Sequence, residues 1–283
     1  MSLVSIKELL TDAQKGHYAI GAFNVENMEM VMAVLAAAEE KNSPVIMQTT
    51  PGTIKYAGFD YYYANVKTAA SRTRIPVVMH LDHGSSFDLA VQAYRAGYTS
   101  IMIDGSKLSL EENIALTKSV VDVCHPGTVP VEGELGKVGG KEDDLENGDD
   151  NPYTVPAEAK EFVERTGVDS LAVGIGTAHG VYKGTPHVNV ERLSEIREVV
   201  DIPLVLHGTS GVPDDQVRDC VSRGICKVNY ATDLRIAFTK GVKAYMQENP
   251  DAFDPKKYSA LGIEEVKQYV MQKMDVVGST GKA

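Results

Sequence analysis

The strongest constraint on the fold is a repeated alternation of short β-rich runs with longer amphipathic segments. The β-rich runs lie at residues 18–23, 44–48, 76–80, 100–103, 128–133, 170–173, 204–207 and 225–229. Helix-like stretches separate or follow them, at residues 28–41, 61–72, 87–96, 110–125, 157–166, 190–200, 213–223 and 232–247. Such alternation predicts a parallel sheet covered by helices, and eight repeats favour a closed (β/α)8 TIM barrel of the α/β class. An open, doubly wound sheet is the structural alternative.

Both ends of the chain add helices to this repeat. A helix at residues 6–15 precedes the first β-rich run, and residues 249–283 contain helical pattern without a strand. A barrel of 283 residues is commonly one domain. We therefore expect a single domain over residues 1–283, with the C-terminal extension acting as a cap or a subunit contact.

The charge and cysteine content limit the partners and the compartment. There are 28 Lys and Arg against 39 Asp and Glu, a net charge of −11, which argues against nucleic-acid and anionic-membrane partners. Cys124, Cys220 and Cys226 lack Cys-x-x-Cys spacing and are interpreted as reduced thiols. The first residues begin a helix signal rather than a signal peptide, and no apolar run has the length of a membrane span. We expect a soluble, cytoplasmic protein.

Histidines follow three of the β-rich runs, and each is followed by glycine: His83-Gly84, His179-Gly180 and His207-Gly208. A lone histidine at a strand end is more often a hydrogen-bonded structural residue than a ligand. Parallel strands, however, end at one edge of the sheet, so the three imidazoles are expected to converge. Three nitrogens with one open position match the ligand set of a catalytic zinc ion.

The other predicted strands also end in polar side chains. The full set at these ends is Asn24, Gln48 with Thr50, Asp82 with His83, Asp104, Glu134, His179, His207 and Asn229. Because alternate strand residues share a face, His80 and Asp82 should point the same way. Barrel active sites are assembled from this rim, so the joint pattern predicts an active site and includes Asn24 and Thr50 as candidate substrate contacts.

Two loops of small and polar residues follow the seventh and eighth predicted strands, Gly208-Thr209-Ser210-Gly211 and Asn229-Tyr230-Ala231-Thr232. Each precedes a helix, whose N-terminus favours an anion. Ordinary turns with N-caps at Ser210 or Thr232 would explain either loop alone. Together they stand where barrels usually bind phosphate, which predicts a phosphate-ester substrate.

At this point the chain resembles the class II, zinc-dependent ketose-bisphosphate aldolases, both fructose- and tagatose-1,6-bisphosphate types. The similar segments are residues 22–24, 43–46, 80–83, 102–106, 132–136, 139–143, 176–180, 204–208 and 227–229. The resemblance implies cleavage of a ketose 1,6-bisphosphate into dihydroxyacetone phosphate and an aldehyde such as glyceraldehyde 3-phosphate. Breaking that bond leaves a carbanion beside a carbonyl, and Zn²⁺ would act as the electron sink.

The resemblance also implies a role for individual residues. Asp82 matches the residue that transfers the C4 hydroxyl proton, and Glu142 matches a mobile-loop acid that moves the proton at the nascent enediolate carbon. The zinc ligands match His83, His179 and His207, with Asp104 and Glu134 able to hold the metal in an alternate position. The dihydroxyacetone phosphate site matches Gly180, Gly208, Thr209, Ser210, Asn229, Tyr230, Ala231 and Thr232. A monovalent cation, Na⁺ or K⁺, and a homodimer or homotetramer are expected as well.

Sugar preference depends on few positions. Ala231 is similar to the tagatose type, whereas Gly84-Ser85-Ser86 is more similar to the fructose type. The similarity of residues 191–248 favours tagatose 1,6-bisphosphate. Fructose 1,6-bisphosphate is one alternative, and a sugar with another anionic group at its far end, such as a sulfonate, is the other. Lys256 or Lys257 could meet the distal phosphate from a neighbouring subunit or could simply be solvated.

Other interpretations of the same residues stay open at this point. Lys227 shares a strand face with Asn229 and could form a Schiff base in an imine aldolase. A zinc hydrolase could use the same histidines, and a non-catalytic regulator could bind the phosphosugar. The acidic stretch at residues 141–150 is a solvated surface loop or a lid over the site.

Overall fold

The computed structural model describes residues 3–142, 145–146, 153–182, 184 and 186–283. Its strands, numbered along the chain, are β1 (Ile20–Asn24), β2 (Val45–Thr49), β3 (Val77–Gly84), β4 (Ser100–Ile103), β5 (Val131–Leu135), β6 (Gly139–Glu142), β7 (Leu145–Glu146), β8 (Ser170–Val173), β9 (Ala178–His179), β10 (Leu204–Leu206) and β11 (Ile225–Tyr230). Within the described residues, eight of them close a parallel barrel in the order β1-β11-β10-β8-β5-β4-β3-β2. Pairing of β1 with both β11 and β2 confirms the predicted closure and excludes the open sheet.

Helices surround the barrel. They are α1 (Ile6–Gly16), α2 (Met28–Lys41), α3 (Pro51–Ala57), α4 (Phe59–Ser71), α5 (Phe87–Ala96), α6 (Leu110–Cys124), α7 (Pro156–Thr166), α8 (Val190–Val199), α9 (Asp214–Ser222), α10 (Thr232–Glu248) and α11 (Pro255–Val277). Local signals set many of these ends. Ser109 and Glu112, for example, form a capping box at the start of α6. None of the described helices is long and apolar enough to cross a bilayer.

The interior of the barrel changes from apolar to polar along its axis. Near the amino ends of the strands, inward residues such as Ile20, Ile46 and Val78 pack with Ile6 and Leu10 of α1. The N-terminal helix therefore closes this end of the barrel. Since alternate residues of a strand share a face, inward positions further along the strands, such as Asn24, Gln48 and His80, carry the polar groups.

The C-terminal extension forms α11, which packs against α10 and α2 of the same chain. Its buried face includes Val266, Val270, Met274 and Val277, spaced at helical intervals. The backbone carbonyl of Val277 also accepts the N–H of Ala19 next to β1. The extension thus covers the junction between the first and last helices of the barrel.

Most predicted bounds differ from the structure by a few residues, for local reasons. β1 begins after Tyr18 because the N–H of Tyr18 still donates to Ala13 at the end of α1. β5 begins at Val131 because Thr128 adopts a left-handed φ of 61°. Helix α3 was not predicted; Thr50 caps it and Pro51 occupies its first turn.

A small sheet outside the barrel was not predicted either. In the described residues β6 pairs with β7 in antiparallel fashion and with β9 in parallel fashion, and its Gly140 lies opposite His179. The segment after β5 is therefore joined to the segment that carries the second histidine. The rest of the predicted lid, residues 143–144 and 147–150, lies outside the described residues.

Candidate active site

The predicted histidines meet at the carboxyl end of the barrel. Ring centroids lie 4.8 Å apart for His83 and His179, 4.7 Å for His83 and His207, and 6.2 Å for His179 and His207. One ring nitrogen from each lies within 4.8 Å of the others. His83 and His207 are buried, and His179 is half-buried. Three separate segments, β3, β9 and the end of β10, therefore bring nitrogen ligands to one point.

An irregularity in β3 lets neighbouring residues Asp82 and His83 both reach the site. Adjacent strand residues normally point to opposite faces. Here the pairing with β4 shifts register between Leu81 and Gly84, and His83 has a left-handed φ of 49°. This β-bulge turns His83 inwards beside Asp82.

Carboxylates fix which ring nitrogen carries hydrogen in His83 and in His207. Nδ1 of His83 lies 2.9 Å from Asp104, and Nε2 of His207 lies 2.9 Å from Glu132. Burial raises the pKa of Asp104, but hydrogen bonds from His83 and Ser106 outweigh it and hold that pKa below its usual value. Burial likewise raises the pKa of Glu132, but the charge of Lys227 together with the hydrogen bond from His207 and the nearby histidine charges holds that pKa below its usual value. Both carboxylates are therefore ionised and can only accept hydrogen bonds.

Consequently, Nε2 of His83 and Nδ1 of His207 each present a lone pair, and these two atoms lie only 2.9 Å apart. Burial lowers the pKa of His207, which keeps its imidazole neutral. Two lone pairs at this distance repel each other unless a cation lies beside them. The donor set therefore fits a divalent metal ion that prefers nitrogen ligands.

A buried carboxylate completes this arrangement. Oε2 of Glu134 lies 3.8 Å from Nδ1 of His83 and 3.5 Å from Nδ1 of His207. Among the described residues this oxygen is buried without a hydrogen-bond partner. Burial, followed by the charge of Asp104, raises the pKa of Glu134 well above its usual value. His83, Asp104 and Glu134 form a second group that could hold a metal, and the family resemblance implies such an alternate position for Asp104 and Glu134.

Asp82 lies beside the histidines and is held by side-chain amides. Asn24 and Gln48 each donate to Oδ2 of Asp82 at 3.0 Å, and Asn229 donates to Oδ1 at 3.0 Å. Oδ1 lies 4.0 Å from Nε2 of His83. The carboxylate is buried and its direction is fixed, which suits a group that exchanges a proton with a substrate oxygen.

The amides that hold Asp82 also leave acceptors open. In the described part of the chain, the side-chain oxygens of Gln48 and Asn229 are buried without hydrogen-bond partners. Such oxygens can accept hydrogen bonds from hydroxyl groups of a ligand. Gln48 was predicted only as a strand-end residue, and the structure adds it to the site.

The two predicted phosphate loops face one small cavity next to the histidines. It is lined by His179, Gly180, Gly208, Thr209, Ser210, Asn229, Ala231 and Thr232. The hydroxyl of Ser210 accepts the backbone N–H groups of Ala231 and Asp233, both at 3.4 Å. Ser210 therefore does not cap α9 but binds at the start of α10, where the positive end of the helix dipole favours an anion.

Tyr182 connects the loops that form this cavity and was missed by the sequence analysis. Its hydroxyl accepts the N–H of Ala178 at 2.6 Å and donates to the carbonyl of Gly208 at 2.7 Å. It thereby holds β9, which contains His179, against the loop after β10. The residue lies in a connecting segment without periodicity, so no sequence pattern marked it.

Two predicted contacts place their side chains elsewhere. Tyr230 stacks on Phe23, with centroids 5.6 Å apart, on the outer face of the barrel, so only its backbone is near the cavity. Thr50 caps α3, where its hydroxyl accepts the N–H of Thr53. Glu142 ends β6, and its side chain lies outside the described atoms.

The turn at Gly208 supplies a test of the cavity. Gly208 has φ +66°, and a Cβ there would lie 2.8 Å from backbone atoms of Ala178. We expect Gly208→Ala to displace the loop and to raise KM for a phosphorylated substrate about tenfold, equivalent to ~1.4 kcal/mol. Steady-state kinetics check this result.

Gly167→Ala is the matched control, because Gly167 has φ +73° but open space around its Cβ position at the far end of the barrel. Both variants should lose roughly 1–2 kcal/mol of stability from the left-handed backbone. Only Gly208→Ala should change KM. Equal KM values in the two variants would contradict a phosphate site in this cavity.

Known proteins resemble the chain over almost its whole length. The family model for class II fructose-bisphosphate aldolase matches residues 4–282. The crystal structure of the YdjI aldolase from Escherichia coli K12 has 38% identity and a TM-score of 0.86, with 99% of each chain covered. A fructose-bisphosphate aldolase from Campylobacter jejuni has 27% identity and a TM-score of 0.85, covering 100% of this chain and 97% of that one.

Proposed function

Because the chain belongs to the class II fructose-bisphosphate aldolase family, we propose that it reversibly cleaves a ketose 1,6-bisphosphate into dihydroxyacetone phosphate and an aldehyde such as glyceraldehyde 3-phosphate. The observation that carries this proposal is the meeting of His83, His179 and His207 beside Asp82, next to the cavity of the phosphate loops. Membership of an aldolase family argues against the two other interpretations of these residues, a zinc hydrolase and a non-catalytic regulator.

The proposed metal is Zn²⁺, held by His83, His179 and His207. When bound, zinc would supply Lewis-acid stabilisation of the negative charge that cleavage of the carbon–carbon bond leaves on the substrate. Asp104 keeps the His83 lone pair directed towards this point, and Asp104 with Glu134 would supply ligands for an alternate position.

Asp82 is proposed as the proton-transfer residue. Its carboxylate would take the proton of the C4 hydroxyl during cleavage and return it during condensation. Asn24, Gln48 and Asn229 hold the carboxylate oxygens at fixed positions for this transfer. Glu142, in the segment after β5, is proposed to move the proton at the carbon that becomes carbanionic.

The phosphate of the dihydroxyacetone half is proposed to bind in the cavity between His179 and Thr232. The N-terminus of α10 and the glycine backbone supply N–H donors there. A local anion site of this kind is needed because the net charge of −11 would otherwise repel an anionic substrate. A monovalent cation, Na⁺ or K⁺, is proposed to assist it.

Tagatose 1,6-bisphosphate is the proposed favoured substrate, because Ala231 lines the cavity without a polar side chain to reach the sugar. Fructose 1,6-bisphosphate is the alternative, and it is named by the family and by the Campylobacter structure. The two sugars differ at one stereocentre, which small changes in a pocket can distinguish. Lys256 pairs with Asp254 at 2.8 Å on the surface, which supports its solvated interpretation.

A coupled assay with both bisphosphates in one preparation, together with metal analysis, tests the function. We expect zinc-dependent release of triose phosphate from both sugars, with the higher kcat/KM for tagatose 1,6-bisphosphate. A higher value for the fructose epimer would reverse the preference but keep the reaction. Failure to release dihydroxyacetone phosphate from either sugar, by protein shown to contain zinc, would contradict the reaction itself.

We also propose that the enzyme works as a homodimer or homotetramer in the cytoplasm. Exposed apolar side chains on and after α10, Ile236 and Phe253, support a subunit contact in this region. The buried, unpaired thiols of Cys124, Cys220 and Cys226 are consistent with a reducing compartment.

A further inference from the structure

A charged cluster lies inside the barrel directly below the histidines, and the proposed reaction leaves it without a role. Nζ of Lys227 lies 2.9 and 3.2 Å from the two carboxylate oxygens of Glu132 and 3.3 Å from Nε2 of His80. Glu132 in turn accepts the Nε2 hydrogen of His207 at 2.9 Å. All of these side chains are 0–1% exposed.

Stability alone does not account for this cluster. Removing two charges from water costs several kcal/mol per ion, and an apolar pair of the same volume is often equally stable. The amine of Lys227 is also engaged by Glu132, an arrangement that favours an ion pair over the Schiff-base nucleophile considered from the sequence. A buried ion pair in contact with a metal-ligand histidine calls for a role at the metal site.

The donor and acceptor of each hydrogen bond in the cluster can be assigned, starting from Lys227. Lys227 can only donate, so His80 accepts at Nε2 and its Nδ1 hydrogen points to Ser100 at 2.7 Å. Burial, followed by the charge of Lys227, keeps the pKa of His80 well below its usual value, so that His80 is neutral. Glu132 therefore receives hydrogen bonds from Lys227 on one side and from His207 on the other.

We propose that Glu132 is a positioning residue that keeps the Nδ1 lone pair of His207 directed at the metal, and that Lys227 and His80 hold Glu132 in place. The proposal rests on the proposed function for the identity of the metal ligand. Because Lys227 neutralises Glu132, the cluster gives His207 an anionic acceptor without adding net negative charge below the metal. Such outer partners typically account for roughly 10–100-fold of metal affinity.

The test compares variants in which charge balance is preserved. Glu132→Gln alone would leave Lys227 buried without its counter-ion, so the informative variant is E132Q combined with K227M. Glutamine retains the shape, but it can either accept from Nε2–H or donate to a bare Nε2, so it no longer selects one tautomer of His207.

The matched control is D169N combined with K7M. Asp169 also accepts from a lysine and a histidine, Lys7 at 2.9 Å and His125 at 2.8 Å, but at the amino ends of the strands. This control removes the same pattern of hydrogen bonds from a partly exposed cluster at the other end of the barrel.

Zinc affinity of metal-free protein is measured by competition with a chromophoric chelator, and the His207 tautomer by nitrogen NMR of histidine-labelled, metal-free protein. We expect zinc Kd to rise roughly 10–100-fold in E132Q/K227M and to stay unchanged in D169N/K7M. In the wild-type protein His207 should carry its hydrogen on Nε2, and the double variant should lose this preference.

A change in Kd below about fivefold in a folded E132Q/K227M variant, or a similar change in D169N/K7M, would overturn the proposal. If E132Q/K227M does not fold, the wild-type tautomer decides: hydrogen on Nε2 supports the proposal and hydrogen on Nδ1 overturns it. Wild-type protein that binds no zinc would refute the proposed cofactor, while the tautomer measurement would still test Glu132 separately.

Discussion

Asp82→Ala is expected to lower kcat for carbon–carbon cleavage about a thousandfold, within the range of general acid–base catalysis. Asp82 lies beside the proposed metal ligands, with Oδ1 4.0 Å from Nε2 of His83, and three side-chain amides fix its orientation. Without it, no side chain in this position takes the C4 hydroxyl proton. Steady-state turnover of the bisphosphate, followed by release of triose phosphate, measures the loss.

The zinc content and the fold of this variant should be retained, because Asp82 is not among the proposed ligands. Removing it takes away an acceptor from the amides of Asn24, Gln48 and Asn229, although Gln48 still donates to Asn24 at 2.8 Å. The cost is about 1–3 kcal/mol for each group that stays unpaired. Water that enters the polar space can replace part of this loss.

Proton exchange supplies a sharper control for Asp82. Exchange of the carbon-bound hydrogen of dihydroxyacetone phosphate with heavy water involves a different carbon and, in the proposal, Glu142. Asp82→Ala should therefore retain exchange while losing cleavage, as followed by proton NMR. Retained cleavage would show that Asp82 is not the proton-transfer residue. Loss of both proton exchange and bound zinc would show that the substitution had damaged the metal site.

Removal of the metal by a strong chelator is expected to lower turnover by at least about a thousandfold, because a Lewis acid contributes several kcal/mol to this kind of step. Hydrogen bonds to Asp104 and Glu132 would keep the rings of His83 and His207 near the site after the metal is removed. Addition of zinc should therefore restore activity. Turnover before and after zinc addition, with metal content measured in parallel, checks the prediction.

Borohydride distinguishes this chemistry from the imine mechanism considered for Lys227. Reduction in the presence of substrate should leave the zinc enzyme active and unlabelled, because Lys227 is paired with Glu132. Covalent trapping of substrate on Lys227, or full activity after verified metal removal, would contradict zinc-dependent cleavage.

The barrel could be predicted from the sequence because each repeat carries its own local signal. Strands β4 and β8 and helices α2 and α5 have the predicted bounds. Helix α3 escaped prediction because it is a seven-residue helix without a repeated apolar face. The sheet of β6, β7 and β9 was not predicted. The pairing of β6 with β9 joins segments that are distant in sequence, and neither segment is rich in β-forming residues.

The site was predictable at its rim and less so below it. Residues at the ends of strands stand next to glycine turns, so His83, His179 and His207 were visible in sequence. Strand alternation had already placed Lys227 on the face of Asn229, and it places Glu132 on the face of Glu134 in the same way. The ion pair between Lys227 and Glu132 could not be predicted, because it joins two strands that are distant in sequence. The bulge that turns His83 inwards depends on pairing with β4, which no local pattern encodes.

The histidines come from opposite halves of the chain, with His83 in β3 and His207 after β10, 124 residues later. Neither half alone contains the set, and the halves meet only when β1 pairs with β11 and β5 pairs with β8. An isolated half-barrel could therefore not bind the proposed ion as the intact enzyme does. During refolding, recovery of metal affinity should mark the completed ring of strands rather than the formation of individual helices.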